Sequence, residues 1–166
     1  MKLIENNRKV RAAGVDVNGM QKTPGHDGMV WSCSVYLDGA KIGGVQEDVN
    51  GAGLWVNISP ECQAKFVSAL KGVDYPVNDL AFEDLGMTCP EEDTGYIEWV
   101  VPKIVNELMA LKPLKKKCKT MTLYQLSTDE DANYWFVSEP FTPELKEQLQ
   151  AKYDVKLFLN EALAEF

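Results

Sequence analysis

Met29-Val30-Trp31-Ser32-Cys33-Ser34-Val35-Tyr36-Leu37-Asp38-Gly39-Ala40-Lys41-Ile42-Gly43-Gly44-Val45 is the stretch on which the fold turns. Met29, Trp31, Cys33, Val35 and Leu37 occupy alternate positions, the period of a strand with one face buried and the other wet. Asp38-Gly39 supplies the two positive-φ residues of a tight hairpin turn. The returning strand starts with Ala40 and Ile42 on one parity and resumes with Val45 on the other. A strand changes face only by taking in an extra residue, so Gly43-Gly44 predicts a β-bulge. Asn50-Gly51 marks a second turn, after which Leu54, Val56 and Ile58 alternate again with Trp55 on the opposite face. The expectation is a three-stranded antiparallel meander over 29–58.

Outward from the meander the helix signals are local and chemical. Ser59-Pro60-Glu61 opens a helix: a serine oxygen for free amides, a proline that needs no donor, and an acid for the dipole. Phe66, Val67 and Leu70 form its apolar stripe, and Gly72 ends it. Thr142-Pro143-Glu144 repeats the pattern ahead of Leu145, Leu149 and Tyr153. Ile97, Val100, Val101, Ile104, Val105, Leu108 and Leu111 recur at three and four residues, the spacing of an amphipathic helix. Pro102 lies on its polar face and predicts a kink or a true start near Val101, and Pro113 predicts its end. Residues 74–93 read as irregular, with short apolar pieces such as Leu80-Ala81-Phe82.

Upstream, Lys9 to Val17 is rich in Val and Ala and reads as a strand. Asn18 to Gly28 reads as a loop holding three glycines, Pro24 and the only histidine, His26. Met121 to Leu126 and Tyr134 to Val137 read as a second hairpin joined by an acidic loop. Bulk on both faces of Tyr134-Trp135-Phe136-Val137 suggests a central strand, or a face that covers a helix or a partner. Leu157 to Phe166 reads as a short helix. Strands and helices segregated in this way indicate an α+β fold: an antiparallel meander and a C-terminal hairpin packed against two to four helices, in one compact domain over 1–166.

The chain of 166 residues carries a net charge of -8, with 45% hydrophobic and 25% charged residues. Generic binding to a phosphate backbone needs a positive footprint, so direct nucleic-acid binding is not expected. Acidity suits a partner with a basic surface, and it also serves solubility. Cys33, Cys62, Cys89 and Cys118 contain no C-x-x-C pair and no zinc-finger spacing, so reduced thiols are expected. Met1 to Arg8 has no apolar leader region, and no stretch approaches the roughly 20 apolar residues that span a bilayer. A cytoplasmic protein without a membrane segment is the expectation.

No complete catalytic signature emerges. The glycines of 39–53 form neither phosphate-binding fingerprint and read as turn residues. His26-Asp27 could pair a base with its orienter, but no nucleophile elbow accompanies it. A metal site from His26 with Asp27, Asp38 or Asp48 matches no known loop spacing. The expectation is no catalytic group, no metal and no cofactor. Two charge clusters remain. Glu91, Glu92 and Asp93, with Asp129, Glu130 and Asp131, form a candidate acidic binding surface; the first three also suit a helix N-terminus. Lys115, Lys116, Lys117 and Lys119, with Lys112 before them and His26 elsewhere, form an alternative phosphate grip. In a loop the same lysines would be solvated, guarding the edge of the next strand.

His26-Asp27-Gly28, Val35-Tyr36-Leu37-Asp38-Gly39, Lys41 and Asn50-Gly51, with Ala151-Lys152-Tyr153 and Leu159-Asn160-Glu161 near the end, resemble a family of small uncharacterised phage and bacterial proteins. The resemblance covers about half the chain and implies no activity and no site residue. It implies a phage or mobile-element accessory protein. By analogy such a protein would be a non-enzymatic inhibitor of a host defence protein. Two alternatives stand beside it: a small nucleotide- or nucleic-acid-processing enzyme using His26, nearby Asp residues and the lysine run, and a particle assembly component.

Overall fold

The computed structural model describes residues 2–26, 28–50, 53–77, 86–130 and 133–164. The chain has an α+β fold, with one four-stranded and one three-stranded antiparallel sheet. Its elements run α1 (Lys2–Ala12), β1 (Val15–Gly25), β2 (Gly28–Leu37), β3 (Ala40–Glu47), β4 (Leu54–Ile58), α2 (Pro60–Gly72), α3 (Asp93–Lys117), β5 (Thr122–Leu126), β6 (Trp135–Val137), α4 (Pro143–Lys152), β7 (Val155–Phe158) and α5 (Leu159–Ala162). Contacts divide the chain into two compact units, residues 6–106 and residues 1–5 with 107–166. No helix among the described residues is long and apolar enough to cross a membrane.

The 6–106 unit carries the sheet β1-β2-β3-β4. Asp38 and Gly39 take the turn at φ 50° and 78°. The bulge falls where the parity changes: Val35 pairs with Gly43 and Tyr36 with Lys41, which leaves Ile42 as the extra residue. Gly43 is required there, because a Cβ at φ 154° would run into the carbonyl oxygen of Asn57 on β4. Cys33, Val35, Val45 and Ile58 are thereby buried on one face. Ser59 accepts the Cys62 amide at 3.4 Å and starts α2, whose Phe66, Val67 and Leu70 are buried.

Several expectations are corrected. Lys9 to Val17 is not one strand. It is the end of α1, a turn, and the start of β1. Ile4, Asn7 and Val10, three residues apart, are buried, and the Ala, Lys and Arg around them favour helix. Asn18 to Gly28 is not a loop up to Gly25: β1 stays paired with β2 through Gly25, after an irregularity between Asn18 and Gln21. The meander is thus four-stranded, with His26 in the turn between β1 and β2. Gly51, Leu80-Ala81-Phe82 and Asp131 lie outside the described residues.

The long helix α3 begins at Asp93, not near Val101, and runs through Pro113 to Lys117. Each proline in a helix interior costs about 3 kcal/mol. Burying Tyr96, Ile97, Val100, Val101, Ile104, Val105, Leu111 and Leu114 outweighs that, at about 1.5–3 kcal/mol for each large apolar side chain.

In the other unit the strand order is β6-β5-β7. Tyr134 to Val137 therefore supplies an edge strand, not a central one; the central strand is β5, where Thr122, Leu123, Tyr124 and Gln125 are all buried. The segment read as a terminal helix begins with a strand, β7, and keeps only α5. One face of this sheet packs Leu123 with Ile4, Leu111, Leu114, Leu159, Ala162 and Leu163. On the other, Tyr124 packs with Leu149 and Phe158. Asn160 ties these layers. Its oxygen accepts the Leu123 amide at 2.8 Å, and its nitrogen donates to the carbonyls of Cys118 at 3.0 Å and Met121 at 2.8 Å.

Candidate functional site

β6 is one edge of the three-stranded sheet. Tyr124 pairs with Trp135, Leu123 with Phe136 and Thr122 with Val137. Residues directly opposite in a ladder share a face, so Trp135 and Phe136 point to opposite sides of the sheet. Their partners on β5 are buried, yet Trp135 is 54% exposed and Phe136 61% exposed. Two aromatic side chains therefore flank the outer edge of a strand that pairs with β5 alone. Such an edge presents unpaired amide and carbonyl groups.

The edge is held in place from both sides. Trp135 donates its indole N–H to the Asp129 carboxylate at 3.1 and 3.2 Å, and Asp129 also accepts the Leu126 amide at 2.7 Å. Buried Gln125 donates to the carbonyls of Glu130 at 2.8 Å and Asn133 at 3.2 Å, so the central strand shapes the acidic loop. Lys117 donates to the Tyr134 hydroxyl at 3.1 Å and lies 5.5 Å from its ring centre. Sequence reading placed the lysine run and the acidic loop in separate clusters. The fold brings one residue of each, Lys117 and Asp129, onto the adjacent residues Tyr134 and Trp135 at the start of β6.

The remaining sequence-derived candidates distribute as follows. Lys112, Lys115, Lys116 and Lys117 are exposed on the last turns of α3, not in a loop, where positive charge complements the helix dipole. Lys119 is exposed just beyond. Glu91 and Glu92 are exposed ahead of α3, and Glu92 accepts the Gly95 amide at 2.7 Å, so that acid caps the helix. Asp93 opens α3 and is partly buried. Glu91, Glu92 and Asp93 belong to the 6–106 unit, whereas Asp129 and Glu130 belong to the other. His26 is exposed in the β1–β2 turn, its amide bonded to the Val49 carbonyl at 3.0 Å.

Asp27, read as the orienter of His26, lies outside the described residues. Asp38 stands at the opposite end of β2 from His26, ten strand residues or about 33 Å away, too far for a shared ion. No group of three His, Cys, Asp or Glu side chains that could hold a metal occurs among the described residues. All four cysteines are free thiols. Burial pushes Cys33, Cys89 and Cys118 above the ordinary thiol range. These are the properties of packing residues, not of activated nucleophiles.

Comparison with protein-family models, with curated proteins and with solved structures finds no match. The chemistry of the chain's own surface is what bears on its function.

Proposed function

We propose that this chain is a non-enzymatic protein-binding factor that takes up a partner on the β6 edge of its three-stranded sheet. The observation that carries the reading is the pair Trp135 and Phe136, exposed on the two sides of one edge strand. An extended segment adding to such an edge gains backbone hydrogen bonds and covers both rings. Tryptophan at a pre-shaped position is the side chain most often found to dominate binding energy. The Asp129 bond orients the indole in advance, which lowers the ordering cost of association.

The partner is a protein with a basic surface. Asp129 and the exposed Glu130 border the edge, and the whole chain carries a net charge of -8. Charge of this kind speeds encounter more than it tightens the final complex. A protein working in this way acts by occupancy, as an accessory factor or inhibitor that covers a partner's surface.

The test is capture of a stoichiometric partner from cell extract by immobilised protein. Trp135→Ala combined with Phe136→Ala should abolish capture while the melting temperature stays near that of the parent. Trp55→Ala, on the other sheet, should retain it. Capture that survives the double substitution would remove β6 from the account. A melting shift caused by nucleotides or divalent ions would favour the enzymatic alternative.

A further inference from the structure

The four-stranded sheet holds a second surface of different chemistry. Pairing places Gln21 opposite Ser32, Ser32 opposite Gln46, and Gln46 opposite Trp55, one continuous row across β1, β2, β3 and β4. The next row on the same face, two residues along, runs Ser34, Gly44, Asn57. The buried side chains of Cys33, Val35, Val45 and Ile58 fall on the other face, so these rows look outward. Gly44 lacks the side chain that would fill the space between Ser34 and Asn57. The result is a trough of about 580 Å³, inside the range of roughly 300–1,000 Å³ usual for small-ligand sites.

The lining is selective in what it offers. Gln21, Gln46 and Asn57 bring amides, each with donors and acceptors, and Ser32 and Ser34 bring hydroxyls. Trp55 stands at one wall, 62% exposed, with an indole bonded to the carboxylate of Asp48. An exposed aromatic face beside five side chains that both donate and accept fits a ligand with apolar C–H faces and many hydroxyls.

Charge decides between ligands that stack. A nucleic-acid strand also stacks on tryptophan, but it needs cations along its backbone. Among the described residues Lys41 is the only charged one lining the trough, and the 6–106 unit has eight basic against fourteen acidic residues. We infer that the outer face of the four-stranded sheet is a binding site for a neutral saccharide, which stacks on Trp55 and hydrogen-bonds to Gln21, Ser32, Ser34, Gln46 and Asn57. The inference is independent of the β6 edge, which lies on the other sheet.

The experiment titrates the full chain with maltotriose, cellotriose and N,N′,N″-triacetylchitotriose, following the Trp55 indole N–H resonance and calorimetric heat. At least one sugar should give a saturable shift of that resonance. Trp55→Ala should weaken binding about tenfold or more, and Trp55→Phe should recover part of it, as expected for an aromatic platform. Affinity should be unchanged between 50 and 500 mM salt, because the ligand carries no charge. Trp55→Ala is exposed, so an unaltered melting temperature checks that the fold persists. Three outcomes overturn the inference: no saturable shift with any of the three sugars, wild-type affinity in Trp55→Ala, or preferential salt-sensitive binding of an oligo(dT) strand.

Discussion

Each sheet exposes a tryptophan whose indole bonds to an aspartate, and the two are set in opposite company. Trp55 on β4 pairs with Asp48 and lines a trough of amides and hydroxyls. Trp135 on β6 pairs with Asp129 and stands beside exposed Phe136. The same side chain stands among amides and hydroxyls in one place and next to an exposed phenyl ring in the other. Both stand on edge strands with one partner, and the difference comes from the rows they end. The row through Trp55 runs on into Gln46, Ser32 and Gln21, whereas the row through Trp135 runs into the buried rings of Tyr124 and Phe158. Neighbours from other strands, not the tryptophan itself, set the chemistry around each indole.

The largest losses should follow from altering the scaffold under either sheet. Gly43→Val forces a Cβ into the Asn57 carbonyl and should cost more than about 3 kcal/mol, because the obstacle is backbone and yields little. Asn160→Ala removes three hydrogen bonds under the other sheet and should cost about 2–4 kcal/mol. Urea unfolding measures both. A loss below about 1 kcal/mol for either would mean the named contacts do not hold their sheet.

Surface substitutions should act on binding and leave the fold intact. Trp135→Ala with Phe136→Ala should change stability by about 1 kcal/mol or less, the level of exposed positions, while abolishing partner capture. Glu130→Lys should slow association with a basic partner and flatten its salt dependence, whereas Lys115→Glu and Lys116→Glu should leave the rate unchanged or raise it slightly. The reverse pattern would make the lysine end of α3 the contact surface and point to an acidic partner.

Alkaline pH gives a smaller and graded effect. Burial pushes the thiols of Cys33, Cys89 and Cys118 upward and the Tyr96 hydroxyl up to about 12. The native chain therefore keeps protons that the unfolded chain releases at the ordinary thiol and phenol values, about 8.5 and 10. Stability contributed in this way is complete below those values and is lost as pH rises, the tyrosine share between about pH 10 and 12. Melting temperatures at pH 7, 9 and 10.5 should fall in that order; a flat profile would contradict the burial. The Tyr96 hydroxyl has no hydrogen-bond partner among the described residues. Tyr96→Phe should accordingly be neutral or stabilise by up to about 1 kcal/mol, and should blunt the alkaline decline.

The parts of the fold legible in sequence are those written in adjacent residues. The Asp38-Gly39 turn, the bulge at Gly43-Gly44 and the caps at Ser59 and Thr142 each rest on two or three neighbours, and each is present. Where the reading failed, distant packing decided. α3 passes Pro113 because Leu114 is buried among residues from α1, β5 and α5. β7 has four residues, too few for a period to declare itself, and is fixed by pairing with β5. The bulk of Tyr134 to Val137 was visible as a possible cover for a partner, but its place on an edge was not. The trough was invisible, because Gln21, Ser32, Gln46 and Trp55 are far apart in sequence and meet only through register.

Amide hydrogen exchange would reveal a partner added to the β6 edge. On mixing with a captured partner, the amides of Trp135, Phe136 and Val137 should gain protection, while those of β4, the edge that bears Trp55, should exchange as before. Protection confined to β4, or to the lysine end of α3, with 135–137 unchanged would mean that the partner does not add to β6.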